Sequence, residues 1–148
     1  MIDVFNTEFE LLLRILLILN SSGIKKVSSD RIAAIDFITV YGKDFGVSDH
    51  NLHGDNDFRF SEFTCRRDLI TKAIKTLVID GLVKVTCLKT GFFYSISDTG
   101  RKYCSKFNNT YADAYSAIVE NTLTYIDKTS DRYLANQINS YSIIALQG

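Results

Sequence analysis

Between Ser61 and Ile96 the apolar pattern changes period once, and that change limits the folds open to this chain. Ile70, Ala73, Ile74, Leu77 and Val78 form one stripe at helical spacing. Asp80-Gly81 follows as a stop signal. Val83, Val85 and Cys87 then alternate with Lys84 and Thr86, and Phe92, Tyr94 and Ile96 alternate with Phe93 and Ser95. Lys89-Thr90-Gly91 between the two runs has turn chemistry. The spacing therefore predicts a helix, capped by Ser61 or Thr64, and a hairpin after it. Two strands alone are marginal in water, so this hairpin must pack on helices.

Two helices are predicted upstream. Thr7 can cap the first, with Glu8 and Glu10 in its first turn, and Asn20-Ser-Ser-Gly23 ends it. Its run Leu11 to Leu19 is apolar nearly all round, which implies burial on more than one side and leaves room for a partner to help cover it. The run is too short for a membrane span, and Arg14 interrupts it. It also lacks the basic flank and cleavage site of a signal peptide. Ser28-Ser29-Asp30 supplies the second cap, Ile32, Ile35 and Ile38 recur at helical spacing, and Gly42 can close this helix. Residues 43–60 read as a long, acidic, polar connection.

Downstream, Ser97 or Asp98 caps one long helix. Tyr103, Phe107, Tyr111, Ala114, Tyr115, Ile118, Thr122 and Tyr125 trace its stripe over about six turns. Tyrosine offers large contact area at low entropy cost, so an overhanging tyrosine stripe suggests an interface. The tail from Asp131, with Leu134 and Ile138, reads as one more helix or a docking segment. The predicted fold is mainly α with a small β-hairpin. Helix, helix, helix, hairpin is the order of a winged helix-turn-helix, here with a long C-terminal helix. Residues 1–97 form the winged-helix core, and residues 98–148 a helical extension packed on it within one structural domain.

Composition narrows the function. The 148 residues are 46% hydrophobic and 23% charged, ordinary for a globular domain. Seventeen basic residues balance seventeen acidic ones, whereas a dedicated DNA-binding domain usually carries a basic excess. Cys65, Cys87 and Cys104 form no C-x-x-C pair, which fits reduced thiols of a cytoplasmic protein better than a disulfide scaffold or a thiolate zinc site. No Walker A loop, nucleophile elbow or G-x-G-x-x-G is present. His50 and His53, beside Asp49 and Asp55, are the sharpest metal-like cluster. Their spacing is no specific metal signature, and a hydrogen-bonded polar loop is the better reading. We expect no catalytic residue, no cofactor and no metal.

The exposed face of a recognition helix would meet a DNA major groove. Arg66, Arg67, Lys72, Lys75 and Lys89 are the candidate nucleic-acid contacts, with Lys84, Arg101, Lys102 and Lys106 nearby. Glu62, Asp68 and Asp80 dilute that charge, so a protein interface is favoured over direct DNA contact. Leu12, Leu16, Tyr103, Phe107, Tyr111, Tyr115 and Ile118 are the candidate partner interface.

Three stretches carry a family resemblance: RIAAIDFITVYGKDF, HNLHGDNDFRFSEFTCRRDLITKAIKTLVIDGLVKV and GFFYSISDTGRKY. Together they resemble the middle component of bacterial ABC three-component systems, which include Lamassu-type anti-phage defence operons. The likeness spans about residues 9–126. Its most specific parts are Ile35-Asp36, Leu52-His53, Arg66-Arg67, Gly81-Leu82 and the aromatic strand ending at Tyr94. Gly54 stands where that pattern has proline. The resemblance implies a non-catalytic winged-helix adaptor that binds an SMC-like coiled-coil ATPase and an effector, often a nuclease, in a complex that senses foreign DNA. DNA would be reached through the complex, and no membrane is involved. It brings no catalytic residues. The rival expectation is a stand-alone winged-helix transcriptional regulator, dimerised through the Tyr103 to Tyr125 helix. A metal-dependent enzyme at His50 and His53 is a third.

Overall fold

The structure is a computed structural model that describes residues 8–54, 63–107 and 109–147. Among these described residues, seven helices and one hairpin follow in the order α1 (Glu8–Leu19), α2 (Ser29–Val40), α3 (Gly42–Phe45), α4 (Phe63–Ile79), β1 (Val83–Leu88), β2 (Gly91–Ile96), α5 (Asp98–Ser105), α6 (Thr110–Tyr125) and α7 (Asp131–Gln147). The chain is thus mainly helical with a small two-stranded antiparallel sheet.

The centre is α2, whose residues from Ile32 to Val40 are all buried. It packs against α1, α4, α6 and α7. Helix α1 is buried along Leu11 and from Leu13 to Leu19. The burial implied on more than one side is supplied within the chain, by α4 and α6 among others, while Phe9 and Leu12 stay on an open groove. Along α4, Ile70, Ala73, Ile74 and Leu77 face the core, while Val78 is only partly covered.

Local signals fix most boundaries. The Ser28 hydroxyl accepts from the Arg31 N–H at 3.1 Å and caps α2. The Ser97 hydroxyl accepts from the Gly100 N–H at 3.0 Å and caps α5. Thr7 and Ser61 lie outside the described residues, and Thr64 sits inside α4 rather than at its cap. Gly42 does not close α2 as expected; it opens the short α3, so the polar connection begins with a helical turn whose Phe45 is buried. The long C-terminal helix is also corrected. It ends at Ser105, and α6 restarts under its own cap, where the Asn109 side chain accepts from the Ala112 N–H at 2.8 Å. Asparagine in an extended conformation favours that break over continuous helix.

Gly81, with φ of +78°, ends α4 in a conformation that disfavours a side chain. The chain then turns at once into β1. Gly100 holds the hairpin base from the other side. A Cβ there would run into the Leu82 carbonyl oxygen and stand 2.7 Å from Ile96 Cγ1. At the far corner Arg31 of α2 ties down the α6–α7 junction. It donates to Thr129 O at 2.6 Å, to Ile126 O at 3.1 Å and to Asp131 Oδ1 at 3.0 Å. Ser28 adds a hydrogen bond to Asp131.

Candidate interaction site

The register pairs Val83 with Ile96, Val85 with Tyr94 and Cys87 with Phe92. Directly opposed residues share a face, so these six form one apolar side of the hairpin. Its base, Val83 and Ile96, is buried. Its outer part is not. Together with Ser29, Thr71, Lys75, Val78 and Ile79, the residues Val85, Phe92 and Tyr94 line a groove of about 540 Å³ between α4 and the hairpin. Ile79 is 83% exposed, Phe92 59% and Val85 47%. A contiguous apolar patch of this kind is a usual mark of an interaction surface.

A second groove, about 290 Å³, opens between α1, the end of α4 and α5. Leu12, Leu16, Tyr103 and Phe107 line it, with Phe9 and Leu82 among their neighbours. Tyr103 and Phe107 meet edge to face at 5.0 Å. Four of the seven residues expected at a partner interface are therefore brought together, with Leu16 as a buried floor. The other three go elsewhere, which corrects their assignment. Ile118 packs in the core. Tyr115 is fully buried and Tyr111 partly so, both beside an internal charge cluster.

That cluster joins α1, α2, α4 and α6. Arg14 Nε donates to Asp36 Oδ1 at 2.8 Å and Arg14 Nη2 to Asp36 Oδ2 at 3.3 Å. The Tyr115 hydroxyl donates to Asp36 Oδ1 at 2.6 Å. Burial pushes the Asp36 carboxyl upward, but Arg14, Arg66 and the hydrogen bonds outweigh it and hold the group below its ordinary value. Burial, with Asp36 adding to it, holds the Tyr115 phenol well above its ordinary value. Tyr111 is pushed up to about 12, chiefly by burial.

The arginine pair is divided by this arrangement. Arg66 is 3% exposed; its Nη1 lies 3.9 Å from Asp36 Oδ2, and its guanidinium stands over the Phe37 and Tyr41 rings. It cannot reach a nucleic acid in this fold, and that expectation is corrected. Arg67 is partly exposed and donates to Asp30 Oδ1 at 2.8 Å. Lys72, Lys75 and Lys89 are exposed. Lys75 stands on the wall of the larger groove and Lys72 beside a smaller hollow with Leu69.

His50 and His53 serve different partners. His50 Nδ1 lies 2.7 Å from Asp49 Oδ1 on the surface, and that contact holds the Asp49 carboxyl below its ordinary value. His53 Nε2 lies 3.0 Å from the Tyr111 hydroxyl, with the two rings stacked. Among the described residues no group of three His, Cys, Asp or Glu side chains is placed to hold a metal ion. Asp55, part of the expected cluster, lies outside those residues. Cys65 and Cys87 are exposed thiols, while Cys104 is buried and pushed up to about 11 by that burial.

The family model of the ABC-three component (ABC-3C) system Middle Component 2 matches residues 4–147. The chain belongs to that family. No curated protein and no solved structure matches it. As a middle component it is an accessory part of a multi-component system, so surfaces that meet other subunits are the features to look for. Among the described residues no helix is long and apolar enough to cross a membrane.

Sequence reasoning missed the larger groove. Two signals pointed to it. Ile79 lies off the core-facing stripe of α4, and Phe92-Phe93 puts an aromatic ring on each face of one strand. A side chain that breaks the polar face of an amphipathic element is the local trace of an outside contact.

Proposed function

We propose that this middle component is a non-catalytic adaptor with winged-helix architecture, serving an SMC-like ATPase complex of the Lamassu anti-phage type. It links the coiled-coil ATPase to an effector, often a nuclease, in the cytoplasm. The observation that carries this reading is the apolar groove between α4 and the hairpin. In a DNA-reading winged helix, that region would be set toward phosphates and base edges. Here the exposed apolar side chains of Ile79, Phe92 and Val85 line it, which favours protein over nucleic acid.

With the one-turn α3 set aside, the order α1, α2, α4, hairpin supports the winged-helix assignment, with β1 and β2 as the wing. DNA contact remains auxiliary. Arg67 is engaged by Asp30, so Lys72, Lys75 and Lys89 are left as weak backbone contacts within the complex.

Co-expression with the subunits encoded beside it tests the reading. The expected result is one chromatographic peak that holds the chain with an ATPase and an effector. A stable monomer that binds neither sinks the proposal. Tight, sequence-specific binding of the free chain to its own promoter at physiological salt would favour a regulator instead.

A further inference from the structure

Among the described residues, the hairpin has one edge that is paired and one that is open. On the outer side of β2, Val27 N–H donates to Tyr94 O at 3.0 Å and Tyr94 N–H donates to Val27 O at 2.8 Å. In an antiparallel ladder, opposed pairs alternate between exchanging their backbone bonds and directing them outward. Tyr94 directs both groups outward, so its opposite residue Val85 does the same on the far side of β1. The period of two extends this to Cys87. No hydrogen bond to the backbone N–H or C=O of Val85 or Cys87 comes from another element among the described residues. Both residues are exposed, as are Lys84 and Leu88 beside them.

We propose that β1 takes up an extended strand from another subunit, which adds to the hairpin edge and closes the sheet. The inference rests on the adaptor reading and names how one partner docks. Backbone bonding alone would accept any extended segment, so the side chains select the occupant. Partner residues on the Val85 face continue the apolar groove and meet Ile79, so they are apolar. Residues between them share the Lys84 face and are acidic, by charge complementarity. Lys84 also argues against a second copy of this chain. Edge-to-edge pairing would bring both Lys84 side chains onto one face of one sheet, and an edge lysine is a common guard against such pairing.

Hydrogen exchange on the free chain and on the purified complex with its neighbouring subunits tests this directly. The Val85 and Cys87 amides should exchange at least about tenfold more slowly in the complex. A Val85→Pro variant removes the outward N–H and leaves the β1–β2 bonds in place, since Val85 spends none on β2. Its affinity for the partner should fall at least about tenfold, and further than that of Val85→Thr, which keeps the N–H and loses only part of the apolar contact. A complex that forms with unprotected Val85 and Cys87 amides overturns the edge proposal and leaves the adaptor reading standing. The exchange result decides the matter even if the proline variant does not fold. Failure of any complex to form overturns both. A parent chain that dimerises alone, and a Val85→Pro variant that does not, identifies a second copy as the occupant and overturns the choice of partner.

Discussion

The α1–α2–α6 interior and the α4–hairpin groove depart from ordinary burial in opposite directions. In the first, Arg14 and Asp36 lie within the core, each almost without exposure. In the second, Ile79 and Phe92 stand in the open. The interior departure is answered inside the chain: Asp36 receives Arg14, Tyr115 and the more distant Arg66. Among the described residues, nothing answers the groove in that way. A buried charge with its partners in place specifies how the helices fit together, whereas exposed apolar side chains are satisfied only by another molecule. On the proposed reading the two regions divide the work: one defines the subunit and the other its attachment.

The largest expected effect breaks the interior side of that comparison. Asp36→Ala leaves Arg14 buried beside a lost counter-charge and should cost about 3–5 kcal/mol, read as the shift in a urea unfolding curve. The same carboxylate gives a pH signature. Its value in the folded state lies below its unfolded value, so its contribution is full above the ordinary carboxylate range and is lost as pH falls through the folded value. The parent should therefore lose stability on acidification below about pH 4, and a folded Asp36→Asn variant should lose less over that window. At the alkaline end, Tyr111 and Tyr115 are raised, so stability should decline above about pH 10, where unfolded tyrosines ionise first.

A smaller effect is expected at the junction of the two regions. Gly100→Ala forces a methyl group against the Leu82 carbonyl and Ile96, and should cost about 1–3 kcal/mol. Near-unchanged stability would mean that the hairpin base yields easily and does not hold the groove in shape. The smallest effect on stability belongs to the groove itself. Ile79→Ser with Phe92→Ser removes side chains that are mostly solvated, so unfolding should move by no more than about 0.5 kcal/mol each. Binding to the neighbouring subunits should nevertheless be lost. If it is retained, the contrast between the two regions is one of exposure alone, without consequence for assembly.

Local chemistry made much of this fold legible. The period switch at α4 and the hairpin, the Ser28 cap and the Ser97 cap each depend on residues within one turn of each other. The break before α6 was misjudged because the tyrosine stripe has helical spacing on both sides of it. Asn109 marks the interruption, and a periodic pattern does not register one extended residue. The internal cluster was hidden for a different reason. Arg14 and Asp36 are 22 residues apart, and only the tertiary fold pairs them. Each does stand within an apolar run, Leu11 to Leu19 and Ile35 to Ile38, and such isolated charges are candidates for a mutual partner. Arg66 misled by position: the start of a presumed recognition helix suggested phosphate, while its side chain turns inward to Asp36. The groove near α1 was partly legible, because Leu12 and Leu16 share a helix face, and so do Tyr103 and Phe107.

The segment from Val27 to Arg31 carries a mechanical consequence. Val27 grips Tyr94 of the hairpin, Ser28 reaches Asp131 of α7, and Arg31 holds the corner where α6 gives way to α7. Five consecutive residues at the entrance to α2 thus brace two parts of the molecule that lie more than thirty positions apart in the chain. A pull on the hairpin or on α7 therefore loads the same short brace.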